Sequence, residues 1–328
     1  MTFDMTFTAT PENYASLYGP LVYAFGDTAE PRTLDIAVEN ASNGETIAVK
    51  RLSNTSSGEV DIAPLIRNRV TVRPVTVAGF SPASLRIPWV RVRVEEAVDT
   101  KRFLPALRLP ETGAVRLGSM PADRIISRGE CDELTLLAGV ARAELSAQTA
   151  AGSVSRVVTN PLPTIPVLFR VDTMLWDESV SQAEVRLLDT NGEELAAVRY
   201  CFVPRPAEGV RVAWFGRGGA IEHYTFPVRT VVAERQSRQS LRMAGGEERT
   251  FGADFEERTT VVSAHEPQEV LRALAELGTA RFAWAVDRSG RYVPVTAEAG
   301  EPVLLRRGEP SALRFTLCPT QKNRSLWS

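Results

Sequence analysis

The sequence predicts a mainly β protein: two β-sandwich-like modules followed by a small α+β domain with one helix. Three observations carry this. Short stretches that alternate apolar and polar residues recur at spacings of about ten residues, as in sandwiches and open barrels. Turn phrases rich in Asn, Asp, Ser and Gly separate them. Only Glu266–Leu277 shows the apolar stripe of a confident helix.

In the first module, Leu34–Glu39 alternates at period two, breaks at the Asn40–Gly44 turn and resumes over Thr46–Leu52. Asn54–Gly58 is a second turn and leads into Glu59–Ile62. Arg69–Arg73 and Trp89–Val94 put valines on one face and arginines on the other, the pattern of a half-solvated antiparallel sheet. The module is expected to span residues 1–98, ahead of a connection through Pro105 and Pro110.

The second module is expected over 99–228. Leu134–Leu137 and Arg142–Ala147 read as strands, although the alanines between Ala138 and Ala151 also suit a helical turn. Three prolines in Asn160–Pro166 forbid a helix there. Val167–Val171 and Ala183–Leu188 follow, and the Asn191-Gly192 pair predicts a hairpin into Glu194–Phe202. Val210–Phe215 is the last strand before a glycine turn. Ser42-Asn-Gly and Thr190-Asn-Gly occupy similar hairpins, which suggests two related sandwiches.

The α+β domain is expected over 229–328. Its helix sets Val270, Leu271, Leu274 and Leu277 on one stripe, with Pro267 at the first helical position and Gly278 as the C-terminal cap. Arg258–Val262, Arg281–Val286, Arg291–Val295 and Leu313–Leu317 read as strands around it, with Asp287–Gly290 as a hairpin turn.

A chain of 328 residues exceeds what one core normally organises. A formal charge of −2 argues against a nucleic-acid-binding surface. The three cysteines are odd in number and far apart, and there are two histidines, so neither a disulfide framework nor a metal site is expected. No cofactor motif is present. The N-terminus shows no signal peptide, and no window approaches the 18 apolar residues of a membrane span. The expectation is a protein that folds in a cytoplasm with reduced, mostly buried thiols.

Trp214–Phe226 is the most informative stretch. Gly216, Gly218 and Gly219 mark backbone that takes a positive φ or closely approaches another surface. Trp214, Phe215, Tyr224 and Phe226 converge on this turn and read as an aromatic pin between domains, with an aromatic recognition surface as the alternative. On that reading Trp214→Ala loosens the inter-domain geometry while each domain stays folded. His223 could in principle be a general base, but Glu222 beside it faces the other side of the strand, so a structural or interface histidine is expected. His265 suits a turn hydrogen bond. Cys201, between Tyr200 and Phe202, reads as a buried inert thiol. Asp132-Glu133 and Asp254–Glu257 read as solvated acidic faces. Arg235, Arg238 and Arg242, bracketed by Glu234, Glu247 and Glu248, are expected in an interface or a surface ion-pair network. No nucleophile–base–orienter set is visible, and no enzyme is expected.

A strand ending in Trp214, the Gly218-Gly219 turn and the closing Tyr224-Thr-Phe226 resemble a motif in hypothetical proteins of gut-bacterial prophages, which sit among tail genes. Gly58–Ile66 resembles their strand and short helical turn, and Tyr292–Val295 fits the same plan, with Gly216 where those sequences carry Asn. The resemblance implies a non-enzymatic structural subunit of a phage tail tip, a baseplate or a tail-like particle. Its partners would be other tail proteins and copies of itself. It would be made in the host cytoplasm and assembled into the particle. A receptor- or glycan-binding β-sandwich adhesin is the alternative, with a host-surface receptor as partner.

Overall fold

A computed structural model describes residues 5–27, 30–149, 152–300 and 311–320, with the side chains of 231–238 and 251–256 outside that description. The chain is mainly β, with three sheet-built units in sequence.

The first unit holds β1 (Thr6–Ala9), β2 (Val22–Gly26), β3 (Arg32–Asn40), β4 (Thr46–Thr55), β5 (Ser57–Asp61), the short helix α1 (Ala63–Arg67), β6 (Gly79–Pro82), β7 (Trp89–Val94) and β8 (Ala97–Arg102). A sheet of order β1-β2-β5 faces one of order β4-β3-β7-β8. The period-two pattern becomes the core directly. Leu34, Ile36 and Val38 on β3 and Val90, Val92 and Val94 on β7 are all fully buried in one cluster. Each such side chain contributes about 1.5–3 kcal/mol on leaving water.

Two expectations for this unit are corrected. It runs past Val98, because β8 pairs with β7 through Arg102, and Leu104 bridges to Ser16. Arg69–Arg73 is not a strand but the crossing segment after α1, where Val72 packs against Phe215 of the third unit.

The second unit holds β9 (Arg116–Leu117), β10 (Asp123–Ser127), β11 (Cys131–Leu136), β12 (Arg142–Thr149), β13 (Gly152–Thr159), β14 (Val167–Asp172), β15 (Gln182–Leu188) and β16 (Glu194–Val203). Its two sheets have orders β10-β16-β15-β12-β13 and β6-β14-β11-β9. The first unit therefore lends β6 to the second, with Phe80 opposite Phe169. Ala143 and Ala147 lie in strand β12 rather than in a helical turn. Ala143, Leu145 and Ala147 alternate into the core, which rewards the extended conformation.

The third unit holds β17 (Val210–Phe215), β18 (Ile221–Phe226), β19 (Val228–Arg242), β20 (Glu248–Val262), α2 (Gln268–Ala275), β21 (Ala283–Val286), β22 (Tyr292–Ala299) and β23 (Arg314–Pro319). They form a seven-stranded sheet of order β18-β17-β21-β22-β23-β20-β19. Val270, Leu271 and Leu274 of α2 share its core with Trp214, Phe226 and Phe315. The domain boundary expected at 228 would cut this sheet, since β17 pairs with β21. The third unit begins near Val210.

Pro267 is the N-cap of α2, and Gly278 lies in a 3-10 turn that extends the helix over Glu276–Thr279. Gly278 is required by packing rather than by capping: a Cβ there would sit 2.9 Å from the Ala299 Cβ.

Candidate interaction site: the junction of the three units

Strand β11 is the hub. All six of its residues are buried, although Asp132 and Glu133 are charged. Adjacent strand residues face opposite ways, and each carboxylate meets its own arginine. Glu133 accepts from Arg86 Nη1 at 2.5 Å and from the Val75 backbone at 2.8 Å, both from the segment that follows the first unit's α1. Arg86, itself buried, also donates to Thr135 and to the Arg73 carbonyl. Asp132 accepts from Arg124 Nη1 at 2.6 Å and from the Tyr200 hydroxyl at 3.0 Å. The expected solvated acidic face at 132–133 is thus a pair of buried ion-pair acceptors. A carboxylate tolerates such burial only with this degree of pairing.

Arg124 is the link to the third unit. Its Nη2 lies 3.5 Å from Glu222 of β18, whose other oxygen accepts from the Ser119 and Met120 backbones at 2.7 and 3.2 Å. On the opposite side of β18, His223 Nδ1 is 3.3 Å from Asp132, close enough for attraction but without hydrogen-bond geometry. His223 Nε2 is 3.1 Å from the Tyr292 hydroxyl, which lies 3.6 Å from Cys131 Sγ. A second cluster sits alongside. Arg211 of β17 donates to the Cys131 carbonyl at 2.6 Å and is 3.4 Å from Glu130, which also accepts from Thr225 at 2.5 Å.

Burial opposes ionisation of Asp132, but Arg124, His223 and Arg211 outweigh it and hold the carboxyl well below the usual carboxylate range. Burial, reinforced by Asp132, pushes the Tyr200 hydroxyl far up. Burial also pushes up Tyr292 and the Cys131 thiol. The acid–imidazole–hydroxyl row Asp132–His223–Tyr292 therefore keeps its hydroxyl and the neighbouring thiol protonated. Its geometry fits an electrostatic lock between units better than an activated nucleophile.

The glycine turn is a close docking point. A Cβ on Gly218 would lie 2.9 Å from the Gly118 backbone, and one on Gly219 would lie 3.1 Å from the Ala106 Cβ. The Leu107 and Arg108 amides donate to the Arg217 carbonyl at 2.8 and 3.0 Å, so the 105–118 connection is clamped onto this turn. The Arg217 amide in turn donates to Glu276 at 2.7 Å, and Ser119 Oγ donates to the same carboxylate at 2.8 Å.

The residues singled out by sequence divide into three groups. His223, Phe215, Gly218 and Gly219 do meet other units. Trp214, Tyr224 and Phe226 face the third unit's own core instead, and Trp214 is fully buried there. Tyr224 closes that core's edge by donating to Glu266 at 2.7 Å. Trp214 is therefore corrected from an inter-domain pin to a core residue, because alternation turns Ala213 and Phe215 outward and Trp214 inward. Arg235, Arg238 and Arg242 fall on the β19–β20 hairpin. Arg242 is exposed, while the side chains of Arg235 and Arg238, like those of Asp254–Glu256, lie outside the described residues. Arg235 pairs with Glu256 in the strand register, and Arg238 with Ala253.

Cys201 is exposed, against expectation. Tyr200 and Phe202 occupy the inward positions of β16, which leaves the residue between them outward. It lines a cleft of about 690 Å³ between the outer face of the five-stranded sheet and the start of α2. Gln148, Gln182, Glu184, Arg199 and Glu269 also border that cleft. Arg124, Asp132, Glu222 and Arg211 were not recognisable together from sequence, since each partner lies on a different strand.

Among the described residues, no group of three or more His, Cys, Asp or Glu side chains is placed to hold a metal ion. No helix among them is long and apolar enough to cross a membrane. No protein-family model matches the chain, and no curated protein matches it. Among solved structures, a tetra-tandem repeat in the extending region of a large adhesion protein is similar over 89% of this chain and 72% of its own. The identity is 12% and the TM-score 0.28. A likeness that distant carries no argument.

Proposed function

We propose that the chain is a non-enzymatic structural subunit that works through protein–protein contacts, in a phage tail tip, a baseplate or a tail-like particle. One observation carries the reading: three β units are locked to one another by buried ion pairs centred on β11. Buried ion pairs contribute little net stability compared with apolar packing, but they can specify a geometry. A subunit that must present fixed surfaces to its neighbours needs such a lock. The Trp214…Gly218-Gly219…Tyr224-Thr-Phe226 resemblance supplies the particle. It is made in the host cytoplasm and joins the particle there. The test is an assembly assay with a tagged chain. Particles should carry the tag at the distal end of the tail in labelled electron micrographs, and particles that never contain it overturn the reading.

A second reading, a receptor- or glycan-binding module, is favoured by the 690 Å³ cleft with its amide and charged rim. Glycan-array binding that is lost on Gln182→Ala or Arg199→Ala would support it over the first.

A further inference from the structure

The β19–β20 hairpin reaches far beyond the sheet that anchors it. Within the sheet, β23 pairs with β20 at Thr259–Val262 alone. The two long strands continue pairing from Ala233↔Arg258 to Arg242↔Glu248 and end in a turn at Met243–Glu247. At the rise of an antiparallel strand this arm is about 30 Å long. Residues 239–250 are all exposed. Among the described residues, no strand pairs with the outer edge of β19 or with β20 between Glu248 and Arg258. A two-stranded ribbon by itself is at best marginally stable in water, and free edges invite another strand.

The two edges carry opposite charge. Between Ala233 and Arg242, β19 has Arg235, Arg238 and Arg242 against Glu234, a net +2. Between Glu248 and Glu256, β20 has Glu248, Asp254 and Glu256 against Arg249, a net −2; Glu257, expected on a solvated face, is buried and adds nothing to this edge. Pairing β19 with β19, or β20 with β20, would set like charge against like. Pairing the β19 edge of one copy with the β20 edge of the next sets opposite charges side by side.

We propose that the arm is a self-assembly element: the basic β19 edge of one copy adds to the acidic β20 edge of a second copy of this chain, head to tail. The inference rests on the structural-subunit reading above and names its partner. When successive arms project the same way around a rotation axis, every touching pair of strands is antiparallel. The arms then close into a barrel if the rotation closes, and propagate as a filament if it does not.

The test uses the full chain in sedimentation and light scattering over a concentration series at low and high salt. Wild type should associate, more weakly at high salt, and a chain with 233–257 replaced by a short turn should remain monomeric. R235E/R238E/R242E and E248R/D254R/E256R should each fail to associate alone, and a one-to-one mixture should recover assembly. Arg238 and Asp254 face Ala253 and Ser237 across the hairpin, so neither R238E nor D254R sets like charges directly opposite each other within the arm. Each should lower the association constant about tenfold, with R238K near wild type. These single variants keep the test decisive if the triple reversals unfold the arm, which circular dichroism would reveal. Assembly indifferent to R238E and D254R, or a wild type monomeric throughout, overturns the proposal. A monomeric chain that still enters particles would sink self-pairing and leave the structural reading standing.

Discussion

Asp132 on β11 and His223 on β18 lie 3.3 Å apart, buried, across the boundary between the second and third units. Neither residue has another charged partner on its own strand within hydrogen-bond reach. Their meeting exists only because two sheets dock edge to face, with Arg124 bridging Asp132 and Glu222 from a third strand.

Removing Asp132 should be costly. Asp132→Ala leaves Arg124 buried with the Pro121 carbonyl and, as its charged partner, a longer contact to Glu222, and breaking a buried pair in this way costs about 3–5 kcal/mol. Urea denaturation should show the loss. A change within about 0.5 kcal/mol, the range of ordinary surface substitutions, would mean that the cluster is not a lock.

Acid should open the junction. Asp132 has a folded pKa below its unfolded value, so the unfolded chain binds the proton more tightly. The stabilisation is complete above the ordinary carboxylate range near about pH 4 and is lost as pH falls below it. Asp132→Asn should flatten the acid limb of a stability–pH curve. An unaltered limb in that variant would count against the assignment.

Trp214→Ala should weaken the third unit itself rather than its attachment. The indole fills the core beneath α2, and such truncations cost about 3–5 kcal/mol. Hydrogen exchange should rise across β17, β21 and α2. Exchange raised only in the 105–118 connection would restore the inter-domain pin.

Gly218 and Gly44 separate two uses of glycine. Gly44 takes φ +73° with open space around it, so Gly44→Ala should cost only about 1 kcal/mol of backbone strain. At Gly218 the added methyl meets the Gly118 backbone, which cannot rotate away, and Gly218→Ala should cost about 1–3 kcal/mol. Equal losses in thermal denaturation would refute close docking at the turn.

One thiol of three should react quickly. Cys201 is exposed, whereas Cys131 and Cys318 are buried. A chromogenic disulfide reagent should modify Cys201 at least about a hundredfold faster than the others in the native protein, and all three in denaturant. Cys201→Ser should abolish the fast phase.

Much of the β architecture was legible because strand alternation is a local property. Leu34, Ile36 and Val38, or Val90, Val92 and Val94, need no knowledge of their partners to declare a buried face. The same holds for α2 and for the Asn191-Gly192 and Asp287–Gly290 turns. The arm was not legible. Residues 234–240 of β19 are all polar, so no periodicity separates them from a loop, and only cross-strand pairing defines the strand.

By itself, the sequence determined which segments extend, where most of them turn, and which of their faces seek a core. Tertiary structure alone decided that β6 belongs to its neighbour's sheet and that β17 and β18 open the third unit. It also decided that Asp132, Glu133 and Glu222 are buried rather than solvated. The physical reason is that apolar burial is written residue by residue along a strand. A buried charge is tolerable only through partners that the chain brings from far away.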